Sequence, residues 1–355
     1  MSKRQSNPQL HANPTELALL RQIRARATAV SPAAISPSII LGIGDDCALL
    51  RLRPREDLAV TTDLSIAGRH FRLDWHSPES VGHRTLARGL SDLAAMGARP
   101  VAAFLSLGLP RALAQAPRRG ASWVSRFYDG LLALAATHST PLAGGDLAES
   151  PSTFTDIALA DIVLLGAVPR GKALLRSGAR PGDLLYVTGS LGGASAALAQ
   201  IAALAASSNP STARPLKIPK KLQPQLAPHL YPQPRIAQGL WLRRRNLPTA
   251  AIDLSDGLST DLAHLCQESS VAAELDSTLL PIHPAATLPQ ALHGGEDYEL
   301  LFTAPSSARI PKSIAAVPIT RIGRILRPRK GRPQITLLTP QGTRPLNPHG
   351  WEHFS

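Results

Sequence analysis

The sequence predicts a two-domain protein of the mixed α/β (α+β) class. Its 355 residues suffice for two domains of ordinary size, each with its own core. Helix-period and strand-period patterns are intermixed along the chain, without strict alternation and without an internal repeat. Several of the strand patterns end at an aspartate that stands beside Gly, Ser or Thr.

Composition narrows the functional classes. Aromatic residues make up only 4% of a chain that is 44% hydrophobic, so the core must be built from Leu, Ile, Val and Ala. No run approaches about 18 consecutive apolar residues, so no membrane partner is expected. The first thirty residues are polar and basic without an apolar h-region, which reads as no signal peptide. Cys47 and Cys266 are too few for a disulfide framework or a Cys-based zinc site. A cytoplasmic protein is the expectation. The net charge of +13 would attract a polyanion, either a nucleotide or a nucleic acid. The basic runs at Arg21–Arg26, Arg243–Arg245 and Arg327–Arg332 are scattered and lack interleaved aromatics, so no nucleic-acid partner is expected.

In chain order, residues 1–13 read as a disordered tail. Thr15 can cap a helix with Leu19, Leu20 and Ile23 on one face. Ile39-Ile40-Leu41 and Cys47-Ala48-Leu49-Leu50 are short strands around Gly42-Ile43-Gly44-Asp45-Asp46. Leu58–Thr62 is a strand ending at Asp63. A helix over 78–97 carries Leu86, Leu90 and Leu93 at helical spacing, and Asp92 near its C-terminal part. Strands follow at Val101–Leu107 and Ile157–Val168, with a helix at 121–137 and Gly144-Gly145-Asp146 between them. The first domain is therefore expected over 14–168 and the second over 169–355.

The second half has a strand at Leu184–Val187, an Ala-rich helix at 194–206, a strand at Ala250–Asp253 and a helix at Gly257–Gln267. Further strands are expected at Val271–Leu275, Tyr298–Thr303, 317–325 and 335–338. Seven prolines fall in the 28 residues from Ser207 to Pro234, so 207–234 is expected to be a mobile loop without regular elements.

Asp45, Asp46, Asp63, Asp146, Asp253 and Asp256 recur at strand ends, and Asp92 lies on a helix. Each one alone is more simply a turn cap. As a set they suggest chemistry, because strand-end loops on a rigid scaffold commonly carry it. Converging carboxylates repel one another unless a cation offsets them. Mg²⁺ suits such a site, since it binds through one or two carboxylates plus substrate phosphates and retains waters. Thr61 and Thr62 add hydroxyl oxygens beside Asp63. No P-loop is present, so a nucleotide would be held through metal ions bridging acid and phosphate.

These blocks resemble the thiamine-monophosphate kinase family, within the aminoimidazole ribonucleotide synthetase superfamily. The resemblance runs from about residue 40 to the C-terminus. It is carried by Gly42–Asp46, Thr61-Thr62-Asp63 with Gly68-Arg69-His70-Phe71, and Leu90-Ser91-Asp92-Leu93 running on to Gly97-Ala98. It continues through Gly144-Gly145-Asp146, Arg176-Ser177-Gly178-Ala179, Ile252-Asp253-Leu254-Ser255-Asp256-Gly257, Gly294-Gly295-Glu296-Asp297-Tyr298-Glu299-Leu300 and the closing Gly-Trp-x-His-Phe. The resemblance implies a two-domain α/β homodimer, joined through its N-terminal domains, with the active site between the domains. It implies ATP-dependent phosphorylation of thiamine monophosphate to thiamine diphosphate, with several Mg²⁺ ions. By the family pattern Asp46, Thr61, Thr62, Asp63, Asp92, Asp146, Asp253 and Asp256 would be metal ligands. Gly145, Asp146, Arg176 and Ser255 would contact ATP, and His70, Glu296 and Trp351 the thiamine phosphate. Asp63, Asp146 and Arg176 would act in catalysis.

The implied chemistry agrees with the residues. A phosphate acceptor is already anionic, so the site needs charge compensation and in-line positioning more than a general base. The family often continues Thr-Thr-Arg-Gly after Gly-Gly-Asp, whereas this chain has Leu147-Ala148-Glu149-Ser150. The alternatives are another ATP-using enzyme of the superfamily, such as aminoimidazole ribonucleotide synthetase or selenophosphate synthetase, and a basic nucleic-acid-binding protein.

Overall fold

A computed structural model describes residues 16–30, 38–115, 120–150, 157–208 and 216–351. The tail expected at 1–13 lies outside the described residues, as do 209–215 of the Pro-rich stretch and the last four residues.

The first half comprises α1 (Glu16–Val30), β1 (Ile39–Leu41), β2 (Leu49–Leu50), β3 (Glu56–Ile66), α2 (Pro78–Ala95), β4 (Arg99–Leu109), α3 (Arg111–Ala114), α4 (Trp123–Thr137), β5 (Leu142–Glu149) and β6 (Leu159–Pro169). Strands β3, β6, β4 and β5 form a sheet in that order, antiparallel except for the β4–β5 pair. One face is covered by α2 and α4, where Leu86, Leu90, Leu105, Phe127, Leu131, Ile162 and Leu164 are fully buried. The other face carries Ala102, Phe104, Ala143 and Leu165, onto which Ile39, Ala48 and Leu50 of the β1–β2 hairpin pack.

The second half comprises β7 (Leu184–Thr188), α5 (Gly193–Ala206), α6 (Gln223–Leu230), α7 (Ile236–Arg245), β8 (Ala250–Asp253), α8 (Leu258–Glu268), β9 (Ala272–Asp276), α9 (Leu288–His293), β10 (Leu300–Ala304), β11 (Ser313–Ile314), β12 (Val317–Leu326), β13 (Ile335–Thr339) and β14 (Gly342–Pro345). Its main sheet runs β14-β13-β9-β12-β7-β10-β8, with β11 paired to β12. A second core, including Leu185, Ile252, Leu262, Leu265 and Ile325, lies on the α8 side.

Helix α2 joins the two halves. Ser77 caps it by accepting from the Ser80 N–H, and Pro78 occupies its first turn. One side packs on β3, β6 and α4, the other on α7 and β8. Burial on both sides leaves only Glu79, Arg88 and Asp92 of its 18 residues outside the core.

Three expectations are corrected here. Strand β3 does not stop at Asp63 but runs on to Ile66, because β6 offers it an unbroken partner from Pro169 back to Leu159. Asp146 lies inside β5 for the same reason, paired with β4. The Pro-rich stretch is not devoid of regular elements. Lys220–Leu222 forms a 3₁₀ turn and α6 follows, with Pro224 in the first turn, where its missing N–H has no cost. Leu226 and Leu230 anchor α6 against Ala197 and Ile201 of α5.

Candidate active site

A cleft of about 670 Å³ opens between the two halves, along the face of α2 that meets β8 and the segment before β10. Among the sequence-predicted residues, Asp63, His70, Asp92, Asp253, Ser255, Asp256, Glu296 and Trp351 line it.

Three carboxylates meet at its floor. Asp63 points inward from β3 and pairs with Arg88 of α2 at 3.1 Å. Asp92, one turn further along α2, accepts from the Thr61 hydroxyl. Asp253 ends β8 and accepts from the Ser91 hydroxyl at 2.7 Å. Burial and the neighbouring Asp253 push the Asp92 carboxyl up to about 7, against the Thr61 hydrogen bond and the Arg176 charge. Burial likewise pushes Asp253 up to about 6, although Ser91 and Arg176 favour its charged form. Asp63 is raised by burial, and Arg88 opposes this. These acids are short of positive charge, the condition under which a bound cation stabilises them most.

The loop after β8 is held from below. Asp261 of α8 accepts from the N–H groups of Asp256 and Gly257 at 3.1 and 3.0 Å. Burial and the nearby Asp253 and Asp256 push its carboxyl up to about 8. The Trp351 N–H donates to the Asp256 carbonyl at 3.1 Å, which sets the indole at the cleft rim, 49% exposed. Gly295 lies against the same loop, since a Cβ there would stand 2.5 Å from the Ser255 carbonyl oxygen.

Glu296 occupies the other end of the cleft. Its backbone is in the left-handed region, with φ 69°, and its N–H donates to the Ser255 carbonyl at 2.8 Å. Arg84 donates to its Oε1 at 2.6 Å, and His229 Nδ1 lies 3.3 Å from its Oε2. Burial opposes the charged form, but Arg84, His229 and Arg88 outweigh it and hold the carboxyl far below the usual range. His70 is at the same end, its Nδ1 accepting from the Ile66 N–H at 3.0 Å.

The strand pleat holds Thr62 and Asp146 away from this cleft, and the remaining predicted residues lie around it, across the sheet on β5, or on the β1–β2 hairpin. Thr61 and Asp63 share the helix-covered face of β3, while Thr62 alternates to the opposite face. Asp146 also points to that face, next to Leu147, which packs into the helix-side core. Asp63, Ile162, Leu105 and Gly145 form one row across the sheet. Three strand spacings, roughly 14 Å, therefore part Asp63 from Gly145 and its neighbour Asp146 on β5. Gly145 has its own backbone reason, because a Cβ would lie 2.0 Å from the Leu105 carbonyl oxygen. Asp46 is exposed on the β1–β2 hairpin, where the Asp45 side chain accepts its N–H at 2.9 Å. Arg176 is exposed beside the floor, close enough for its charge to act on Asp92 and Asp253. Among the described residues no three His, Cys, Asp or Glu side chains converge tightly enough to cage a metal unaided.

Sequence reasoning missed Arg84, Arg88, His76 and His229. Arg84, Arg88 and Asp92 stand at intervals of four on a mostly apolar helix, a charged stripe that the helical period makes legible. His229 gave no such signal within the proline-rich run.

Two family models cover this architecture. Residues 44–168 match AIR synthase related protein, N-terminal domain, and residues 180–333 match AIR synthase related protein, C-terminal domain. The two halves are thus those of the AIR synthase-related class. Within it, the chain is 40% identical to thiamine-monophosphate kinase of Escherichia coli over 297 residues, covering 80% of this chain and 84% of that relative. The crystal structure of thiamine-monophosphate kinase from Stenotrophomonas maltophilia is similar at 37% identity and a TM-score of 0.71, covering 91% of this chain and 96% of that one. A structure described as AaThiL complexed with AMPPCP and TMP is similar at 29% identity and a TM-score of 0.69, covering 96% and 97%. The chain belongs to the thiamine-monophosphate kinase family.

Proposed function

We propose that this protein transfers the γ-phosphoryl group of ATP to thiamine monophosphate, giving thiamine diphosphate, in the cleft between its two halves. The observation that carries the reading is the joining of Asp63, Asp92 and Asp253 from three separate elements at one cleft floor, in a family member. The relative complexed with AMPPCP and TMP supports the same pair of ligands.

The donor set fits Mg²⁺. Asp63, Asp92 and Asp253 supply hard carboxylate oxygens, and Asp256 and the Thr61 hydroxyl stand beside them, too few to cage an ion without phosphate oxygens and water. Bound there, Mg²⁺ would neutralise phosphate charge, so that two polyanions can approach within bonding distance. Arg176 offsets further charge on the transferred group. Ser255 orients the nucleotide from the loop that Asp261 fixes. Glu296 and His70 position the acceptor, and Trp351 stacks on one of its rings. For Asp46, Thr62, Gly145 and Asp146 the ligand roles rest on family resemblance alone.

The reading extends to assembly. Leu58, Val60 and Leu64 present an exposed apolar stripe on the outer face of β3, which supports a homodimer formed through the N-terminal halves. The domains are proposed as 14–168 and 169–355, and the setting as cytoplasmic.

Purified protein supplied with Mg²⁺, ATP and thiamine monophosphate should form ADP and thiamine diphosphate in equal amounts. Turnover only with another acceptor would sink the reading and favour a different ATP-using member of the superfamily.

A further inference from the structure

Beneath the acceptor end lies a buried polar cluster whose members come from four parts of the chain. Arg84 of α2 donates to the His70 carbonyl at 3.0 Å, to the His229 carbonyl at 2.6 Å and to Glu296 at 2.6 Å. His229, at the end of α6, is 2% exposed, and its Nε2 lies 2.9 Å from His76 Nε2. His76 Nδ1 lies 3.0 Å from the Arg72 N–H and 3.2 Å from the Arg72 carbonyl; the N–H can only donate, and this shorter contact assigns Nδ1 as an acceptor.

These contacts give the imidazoles a direction. An accepting Nδ1 on His76 places its proton on Nε2, which donates to His229 Nε2. His229 then carries its own proton on Nδ1, facing Glu296 Oε2 at 3.3 Å. Arg84 Nη1, which carries two protons, donates one of them to the His229 carbonyl at 2.6 Å and lies 2.9 Å from that Nδ1. Burial, with the Arg84 charge next, disfavours a second proton on either ring.

We propose that His229 is a positioning residue for Glu296, through which helix α6 of the Pro-rich segment sets the carboxylate that the acceptor meets. Arg84 holds one carboxylate oxygen and His229 the other, so the plane of the carboxylate is fixed only when both are present. The tautomer of His229 is set by its contact with His76. The inference rests on the proposed reading that the acceptor lies at Glu296, and its test separates the two.

The test is steady-state kinetics with thiamine monophosphate varied at saturating ATP, and then the converse. Glu296→Gln should raise the acceptor KM tenfold or more. His229→Leu should raise it at least fivefold, with kcat and the ATP KM within twofold of wild type. His229→Asn keeps an amide N–H in the place of Nδ1 and should restore the acceptor KM to within twofold. His229→Gln, closer in volume but with its N–H in the place of Nε2, should not. A packing role would rank Gln above Asn, and that order would overturn the proposal. So would an unchanged acceptor KM in His229→Leu while Glu296→Gln shows its defect. If Glu296→Gln itself leaves the acceptor KM within twofold, the placement of the acceptor fails, and the inference with it. Should the His229 variants not fold, His76→Leu and His76→Gln carry the test. Loss of the Nε2 donor should raise the acceptor KM and the Gln amide should restore it, and equal values in the two variants would overturn the proposal.

Discussion

The Ser91 hydroxyl donates a 2.7 Å hydrogen bond to Asp253, and this one contact ties the helix of the first half to the strand end of the second. Both residues are buried, at 0% and 3% exposure. Neighbouring side chains on α2 therefore serve the two sheets: Asp92 is braced by Thr61 of β3, and Ser91 braces Asp253 of β8.

Ser91→Ala leaves a buried carboxylate with one partner fewer. A hydrogen bond to a charged group is worth about 1.5–3 kcal/mol, so equilibrium unfolding in urea should show a loss of that order. The Mg²⁺ concentration needed for half-maximal turnover should rise as well. A variant with wild-type stability would mean that Asp253 is satisfied by other groups.

Asp63→Asn should abolish turnover while the fold persists. The change removes the carboxylate charge that faces the cleft and leaves Arg88 without its ion-pair partner. Near-normal activity at ordinary Mg²⁺, with circular dichroism unchanged, would remove Asp63 from the site.

Trp351→Ala should raise the KM for thiamine monophosphate more than the KM for ATP. The indole is half exposed at the rim, so thermal unfolding should shift little. Equal effects on both substrates would mean that the ring serves only to dock the C-terminal segment on Asp256.

Acid should destabilise the fold through His76. Burial, then the charge of Arg84, pushes its folded pKa down to about 3, whereas an unfolded histidine titrates near about 6.5. The unfolded state thus binds the extra proton between these values. The contribution of His76 is complete above about pH 6.5 and is lost as pH falls toward 3, at up to about 1.4 kcal/mol per pH unit. Unfolding free energies measured from pH 7 to 4.5 should show this slope, and His76→Gln should flatten it. Parallel curves for the two proteins would show that the ring is not held neutral.

Val60→Asp with Leu64→Asp places two charges in the exposed stripe on β3. Light scattering should then report monomers, and dimers for the unmodified chain if the proposed interface forms. A dimer that survives both substitutions would locate the interface elsewhere.

Much of this was legible in the chain itself. Leu86, Leu90 and Leu93 at helical spacing set α2, and the fully buried Phe127 and Leu131 lie on the helix expected over 121–137. The acidic blocks marked the cleft, and eight of the predicted residues line it. Local pattern suffices for these, because helical and strand periods are properties of neighbouring residues.

What only the tertiary structure decided was which oxygens share a space. Thr61, Thr62 and Asp63 are consecutive in sequence, yet the pleat sends Thr62 to the opposite face, and the length of β3 depends on its partner β6. Asp46 follows its hairpin to the far side of the sheet because Ile39, Ala48 and Leu50 find apolar cover there. His229 reaches Glu296 only because Leu226 and Leu230 fasten α6 to α5. The sequence by itself determined the class of fold, the family and the kind of chemistry its acids can support. Side-chain convergence depended on long-range packing, and packing between residues distant in the chain leaves no periodic trace in either of them.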